Sequence, residues 1–327
     1  MELEHGVFVI SLDFELYWGM PGKKTIDQYR ENLRGVRNAV DEMLRLFDAN
    51  GIHATWATVG FLYFKNSEEL KKNLPQHIPQ YTVDSLSTYS YIEKCGHLEA
   101  EYHFAPEVIE KIRRYAGQEI GTHTFSHYHC LEEGQSLREF KEDILQAVRI
   151  ARAKGITLKS LVFPRNQWNE EYLSVLAELG IRCYRGNESH WIYNASHDGG
   201  QGKIRRALRL LDNFVNISGY NTYRLPDRQP QGPIMNLPSS RFLRPYLPGL
   251  AFLDGMRLKR ITGAMRDAAI NRKVFHLWWH PHNFGIYTEQ NISFLNEILR
   301  YFKSLEKQYG MRTLNMGELS MSGETSE

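Results

Sequence analysis

The chain is poor in cysteine: only Cys95, Cys130 and Cys183 occur, and none forms a CxxC pair. That argues against a disulfide scaffold and suits a reducing compartment. Cys130 lies close to His127 and His129 in sequence and reads either as a metal ligand or as a buried free thiol. Long apolar runs are also missing. No stretch approaches the ~20 residues needed to cross a bilayer, and the opening residues lack the basic and apolar regions of an export signal. A cytoplasmic location is therefore expected, with peripheral contact with an anionic inner membrane face left open. No fixed-period repeat and no low-complexity tract appears before a polar tail after Leu319. What is present is ordinary: 327 residues, 42% hydrophobic and 24% charged, enough for one large barrel as readily as for two domains.

Charge is unevenly placed. Residues 203–260 hold eleven Lys or Arg against Asp212, Asp227 and Asp254, in a chain whose net charge is only +2. The cluster reads either as a solvated face or as a surface for an anion, such as a phosphate or an acidic membrane. Nucleic acid is not expected, because no aromatic-interleaved recognition motif accompanies the charge.

The order of elements predicts an α/β protein. Val7 to Leu12 is an apolar strand, and an amphipathic helix over 27–49 stops at Asn50-Gly51. A second strand, His53 to Val59, follows, so the pair with its helix makes a right-handed parallel crossover. Residues 62–105 break the rhythm and read as an insertion, either a lid over the barrel mouth or a surface excursion. Strands at 119–123, 158–163 and 181–184 alternate with helices at 106–116, 136–154 and 169–179. Ser136 and Glu139 are placed to form a capping box. The pattern loosens over 189–260. It resumes with a strand Val274 to Trp279, a helix over 288–307, a short strand Arg312 to Met316 and the start of a terminal helix.

Chemistry gathers where strands end. Asp13 and Glu15 are two apart in extended chain, so both carboxylates point one way; alternatively, Asp13 caps the next segment. His123 and His127 are four apart and can reach one point from a helical turn or from a strand-to-helix bend. Such a pair marks a metal, or is surface or core histidine. His280 and His282 close the strand that contains Trp278 and Trp279. A metal held by two histidines and one carboxylate, with a second carboxylate and a further histidine for proton transfer, would hydrolyse an amide-like bond.

These motifs resemble the polysaccharide deacetylase superfamily (NodB homology, carbohydrate esterase family 4), in its intracellular-type branch, over roughly residues 5–320. Ser11-Leu-Asp-Phe-Glu15 matches the first motif, and His123-Thr-Phe-Ser-His127 the second. Phe163-Pro-Arg-Asn-Gln167 stands where the third is expected, with altered order, and Leu277-Trp-Trp-His280 matches the fifth. The resemblance implies a single distorted (β/α)7 TIM-like barrel over 1–320, with a polar tail at 321–327. It implies a divalent metal ion on Glu15, His123 and His127, zinc first, with cobalt, nickel or iron as alternatives. Asp13 becomes the base, Arg165 the cation that tunes it, and His280 the acid, with His282 as runner-up. Asn166, Trp168, Trp279 and His282 are expected to bind substrate. The implied substrate is an N-acylated sugar, carried on a nucleotide or a polyprenyl phosphate, in glycan biosynthesis. Two alternatives stand beside it: hydrolysis of a small non-sugar C–N bond, and a degenerate fold that binds an anionic glycan.

Overall fold

The structure is a computed structural model and describes residues 3–193, 202–225 and 234–322. Strand β1 (Val7–Phe14) is buried along its whole length and sits in the middle of the sheet. On one side follow β2 (Ala54–Thr58), β3 (Gln118–Thr122), β4 (Ser160–Val162) and β5 (Cys183–Arg185); on the other lies β8 (Val274–Trp279). All of these pair in parallel. Their C-terminal ends therefore lie on one side, the side on which barrel chemistry collects.

The two ends of this order meet in one stretch of chain. Short β6 (Met235–Asn236) pairs with β5, and β7 (Arg241–Phe242) pairs with β8. Between them Ser239 donates its backbone N–H to Gly186, and Ser240 donates to His276. One continuous segment thus leans first on β5 and then on β8, giving a distorted barrel with the expected seven strand positions. A ninth strand, β9 (Arg312–Thr313), adds to β1 at its N-terminal end.

Alternation within the strands separates two layers of packing. Val7, Val9, Ala57, Val162, Cys183 and Val274 fill the barrel interior, while Phe8, Ile10, Leu12, Leu277 and Trp279 pack outward against the helices. The terminal helix Met316–Met321 is anchored beneath the interior by half-buried Glu119, which accepts from Thr55, Ser160 and the N–H of Gly317.

Helix Ile26–Asn50 begins in a true capping box at Thr25 and Gln28 and ends at Gly51 in the left-handed region, as its sequence predicts. The box expected at Ser136 is different. The Ser136 hydroxyl donates to the Glu139 carboxylate at 2.5 Å and caps no backbone N–H. Residues 62–105 fold into short helices, including Thr88–Cys95 and Ala100–His103, whose Tyr89 and Tyr102 are buried. Trp18 Nε1 donates to the His103 carbonyl at 2.8 Å, so this insertion is packed onto the core.

Lys203–Leu211 is helical, and Asp254–Asn271 forms the crossover into β8. Residues 194–201 and 226–233 of the basic segment, with Asp227 and Arg228, lie outside the described residues, as do residues 323–327 of the tail. No described helix is long and apolar enough to cross a membrane.

Candidate active site

Parallel strands deliver the chemical groups to one place. Asp13 sits one residue before the end of β1 and Glu15 just beyond it; His123 follows β3, Arg185 ends β5, and His280 follows β8. Together with His127 they border a cavity of about 630 Å³ at the C-terminal mouth of the barrel, although Arg185 lies just beneath its wall.

Glu15, His123 and His127 bring three metal-type donor atoms within 4.8 Å of one another, all buried. Glu15 Oε2 lies 2.9 Å from His127 Nε2 and 3.3 Å from His123 Nε2. His123 Nδ1 is 2.8 Å from the Val162 carbonyl, so Nδ1 carries the proton and Nε2 keeps its lone pair toward the site. Burial raises the Glu15 carboxyl, but His280, His123 and His127 outweigh it and hold the group well below its ordinary value. Burial pushes the His127 imidazole down to about 4. An ionised carboxylate beside neutral imidazoles is the state in which these side chains bind a metal, so the donor set fits a divalent ion. Gly19 lets the carboxylate sit here: a Cβ at that position would be 2.0 Å from Glu15 Oε1.

The loop that carries the histidines is neither of the forms expected from spacing. It is irregular, and Thr124 and His127 have φ of 64° and 62°, a costly conformation for residues with a Cβ. Buried Asp143, on helix Leu137–Ala153, holds it by accepting from the N–H groups of Phe125 and Ser126 and from the Ser126 hydroxyl. Cys130 is a buried thiol outside the donor set.

Asp13 is held by a different arginine from the one expected. Arg185 grips both carboxylate oxygens, at 2.6 and 2.8 Å, and also donates to Ser11 and Asn166. Burial raises the Asp13 carboxyl, yet Arg185 outweighs it and the group lies below its ordinary value. The guanidinium itself rests on the Trp278 ring at 4.1 Å. Arg165 instead lines the mouth, with φ of 55°. A single arginine ending an otherwise apolar strand was the available signal for Arg185. It was overshadowed by the motif-like arginine twenty residues earlier.

The remaining predicted residues divide. His280 borders the cavity, its Nε2 3.8 Å from Asp13 Oδ2 and 3.7 Å from Glu15 Oε1. His282 is stacked behind it at 5.0 Å between ring centroids, is only 2% exposed, and does not line the cavity. Asn166 lines it. Trp279 does not: it is fully buried, stacked on Phe284, because alternation along β8 turns it outward while Trp278 faces in. Trp168 packs on Tyr184 rather than at the mouth. None of residues 62–105 lines the cavity.

Residues 25–184 match the polysaccharide deacetylase family. That segment belongs to it. Asp13, Glu15, Arg185 and His280 lie outside the matched residues, while His123 and His127 lie within. The match supports a hydrolase of the deacetylase type. Two crystal structures assigned to polysaccharide deacetylases are similar in fold. One, from Mycobacterium smegmatis, has TM-score 0.59 at 12% identity, covering 98% of this chain and 91% of that one. The other, from Pseudomonas aeruginosa PAO1, has TM-score 0.59 at 12% identity, covering 99% and 93%. Puue allantoinase is similar as well, with TM-score 0.58 at 12% identity, covering 99% and 92%. At these identities the likeness speaks for fold alone. No curated protein matches the chain in sequence.

Proposed function

We propose that the protein is a metal-dependent hydrolase that removes an N-acyl group, acetyl first, from a sugar. One observation carries this reading: three metal-type donors converge beside an arginine-held carboxylate and a cavity-facing imidazole. Glu15, His123 and His127 would hold a divalent ion, zinc by the chemistry of two imidazoles and a carboxylate, with cobalt, nickel or iron as alternatives. When bound, such an ion supplies Lewis acidity that polarises an acyl carbonyl and acidifies water.

The chain's own residues account for the proton movements. Asp13, kept ionised by Arg185, takes a proton from the attacking water. His280 Nε2, just beyond the end of the adjacent strand β8, gives one to the leaving nitrogen. Burial lowers the His280 imidazole despite the pull of Glu15 and Asp13. His282 stacks behind His280 and orients it. Asn166 positions both Arg185 and the groove wall, and Trp278 offers the apolar face.

The reading places the reaction in surface-polysaccharide or glycoconjugate biosynthesis in the cytoplasm, on a sugar carried by a nucleotide or a polyprenyl phosphate. The basic mouth supports such a carrier. Hydrolysis of a small non-sugar C–N bond is the second reading, favoured by the fold shared with an allantoinase. The test is acetate or formate release from nucleotide-linked, lipid-linked and free N-acyl sugars, beside a ureide panel, with added zinc or cobalt and a chelator control. Chelator-sensitive release from sugars is expected. Release from ureides alone would transfer the assignment to the second reading, and no release by metal-loaded protein would refute both.

A further inference from the structure

The cations of the basic segment separate into two groups in space. Arg241 and Arg260 are buried against Asp212, at 3.2 and 3.3 Å, and Arg257 pairs with Asp254 at 2.6 Å. These hold the segment together. Arg206, Arg209 and Arg244 instead line the cavity that contains Asp13, Glu15 and His280. Lys23 and Arg165 join them, so five cationic side chains meet two carboxylates around one opening. Both carboxylates already have partners on the floor, Asp13 in the Arg185 fork and Glu15 between two imidazoles. A divalent ion at the floor would add positive charge.

The rim arginines also act on one another. Burial, then the charges of Arg205 and Arg206, hold Arg209 below its ordinary value. Burial, then Arg257 and Arg209, do the same at Arg244. Like charges gathered at a partly desolvated opening repel, and an anion placed among them is correspondingly stabilised.

We propose that Arg206, Arg209 and Arg244 form a phosphate subsite that binds the phosphate or diphosphate ester of the substrate while its acyl group lies over the floor. A carboxylate is satisfied by one arginine fork, whereas a diphosphate has oxygens and charge for three. The inference rests on the deacylase reading only for the identity of the acyl sugar; the arginine cluster is independent of it. A nucleoside diphosphate and a polyprenyl diphosphate share this chemistry, and experiment separates them.

The test uses the full chain after chelator treatment, so that an anion cannot bind through a metal. Inorganic pyrophosphate is titrated by calorimetry in low salt and at about 0.5 M salt, where exposed charges are screened. Saturable binding that weakens with salt is expected, at least ~tenfold weaker in Arg206→Glu and in Arg244→Ala, and unchanged in Arg300→Ala, a surface arginine away from the cavity. Binding that appears only after metal is restored, or that both arginine variants leave intact in folded protein, overturns the subsite. UDP-N-acetylglucosamine and a short-chain polyprenyl-diphosphate N-acetylglucosamine in detergent are then compared with free N-acetylglucosamine. Tighter binding of either carrier supports the subsite and names its source; equality of both with the free sugar refutes it. The two proposals fail separately. Acyl release from a neutral chito-oligosaccharide by protein indifferent to pyrophosphate removes the subsite and keeps the deacylase. Pyrophosphate binding without acyl release does the reverse.

Discussion

The floor and the rim of the cavity handle charge in opposite ways. On the floor the buried carboxylates face partners supplied by more distant strand ends of the barrel: Asp13 on β1 faces Arg185 on β5, and Glu15 faces His123 and His127 beyond β3. Those groups are buried, and burial without such partners would cost several kcal/mol each. On the rim, Arg206 and Arg209, both on helix Lys203–Leu211, line the same cavity as Arg244. A floor arranged in this way is preorganised for reaction, whereas like charges gathered around an opening are placed to meet an incoming anion.

Breaking the floor should have the largest consequence. Asp13→Asn is expected to lower kcat by about 10²–10⁴-fold while elemental analysis still finds the metal. Undiminished turnover would remove Asp13 as the base. The contrast between the two arginines comes next. Arg185→Met leaves Asp13 buried without its partner, so urea unfolding should report a loss of about 3–5 kcal/mol. The acid limb of the pH–rate profile should move upward as the carboxyl loses the cation that holds it down. Arg165→Gln, at the rim, should cost under about 1 kcal/mol and leave that limb in place. Equal effects of the two would erase the distinction between floor and rim.

A further effect, visible only as a pH slope, concerns His276, in the barrel interior, whose Nε2 lies 2.8 Å from Ser11 Oγ. Burial, followed by repulsion from Arg185, pushes its imidazole down to about 3. In the unfolded chain the imidazole binds a proton as pH falls below about 6.5, while in the folded protein it does not. Its contribution is therefore complete above that pH and is lost as pH falls from about 6.5 toward 3. Between pH 6 and 4, His276→Gln should flatten the fall in stability by about 1.4 kcal/mol per pH unit, read from urea midpoints. An unchanged slope would show that the imidazole titrates alike in both states.

Much of the site is legible in one dimension because its pieces sit at strand ends. Asp13-Phe-Glu15 and His123 to His127 each announce themselves by short, fixed spacing, and the parallel order implies that strand ends share a side. Trp279 shows the limit. Either of two adjacent tryptophans could face the substrate, and only the register of β8 against β1, Leu12 beside Trp279 and Ser11 beside Trp278, turns one outward and one inward. His280 and His282 pose the same choice, resolved by stacking that leaves one ring at the cavity and one behind it.

Alone, the sequence determined the alternation of strand and helix and the gathering of carboxylates and histidines at strand ends, because periodicity and spacing are local properties of the chain; the seven-position barrel came through the family resemblance. Tertiary structure decided which arginine grips Asp13, which tryptophan faces the cavity, and which of the described arginines of the basic segment are internal counterions and which line the mouth. Those are pairings between residues far apart in the chain. A buried charge takes whichever partner the fold brings within hydrogen-bonding distance, and spacing along the chain carries no record of that choice.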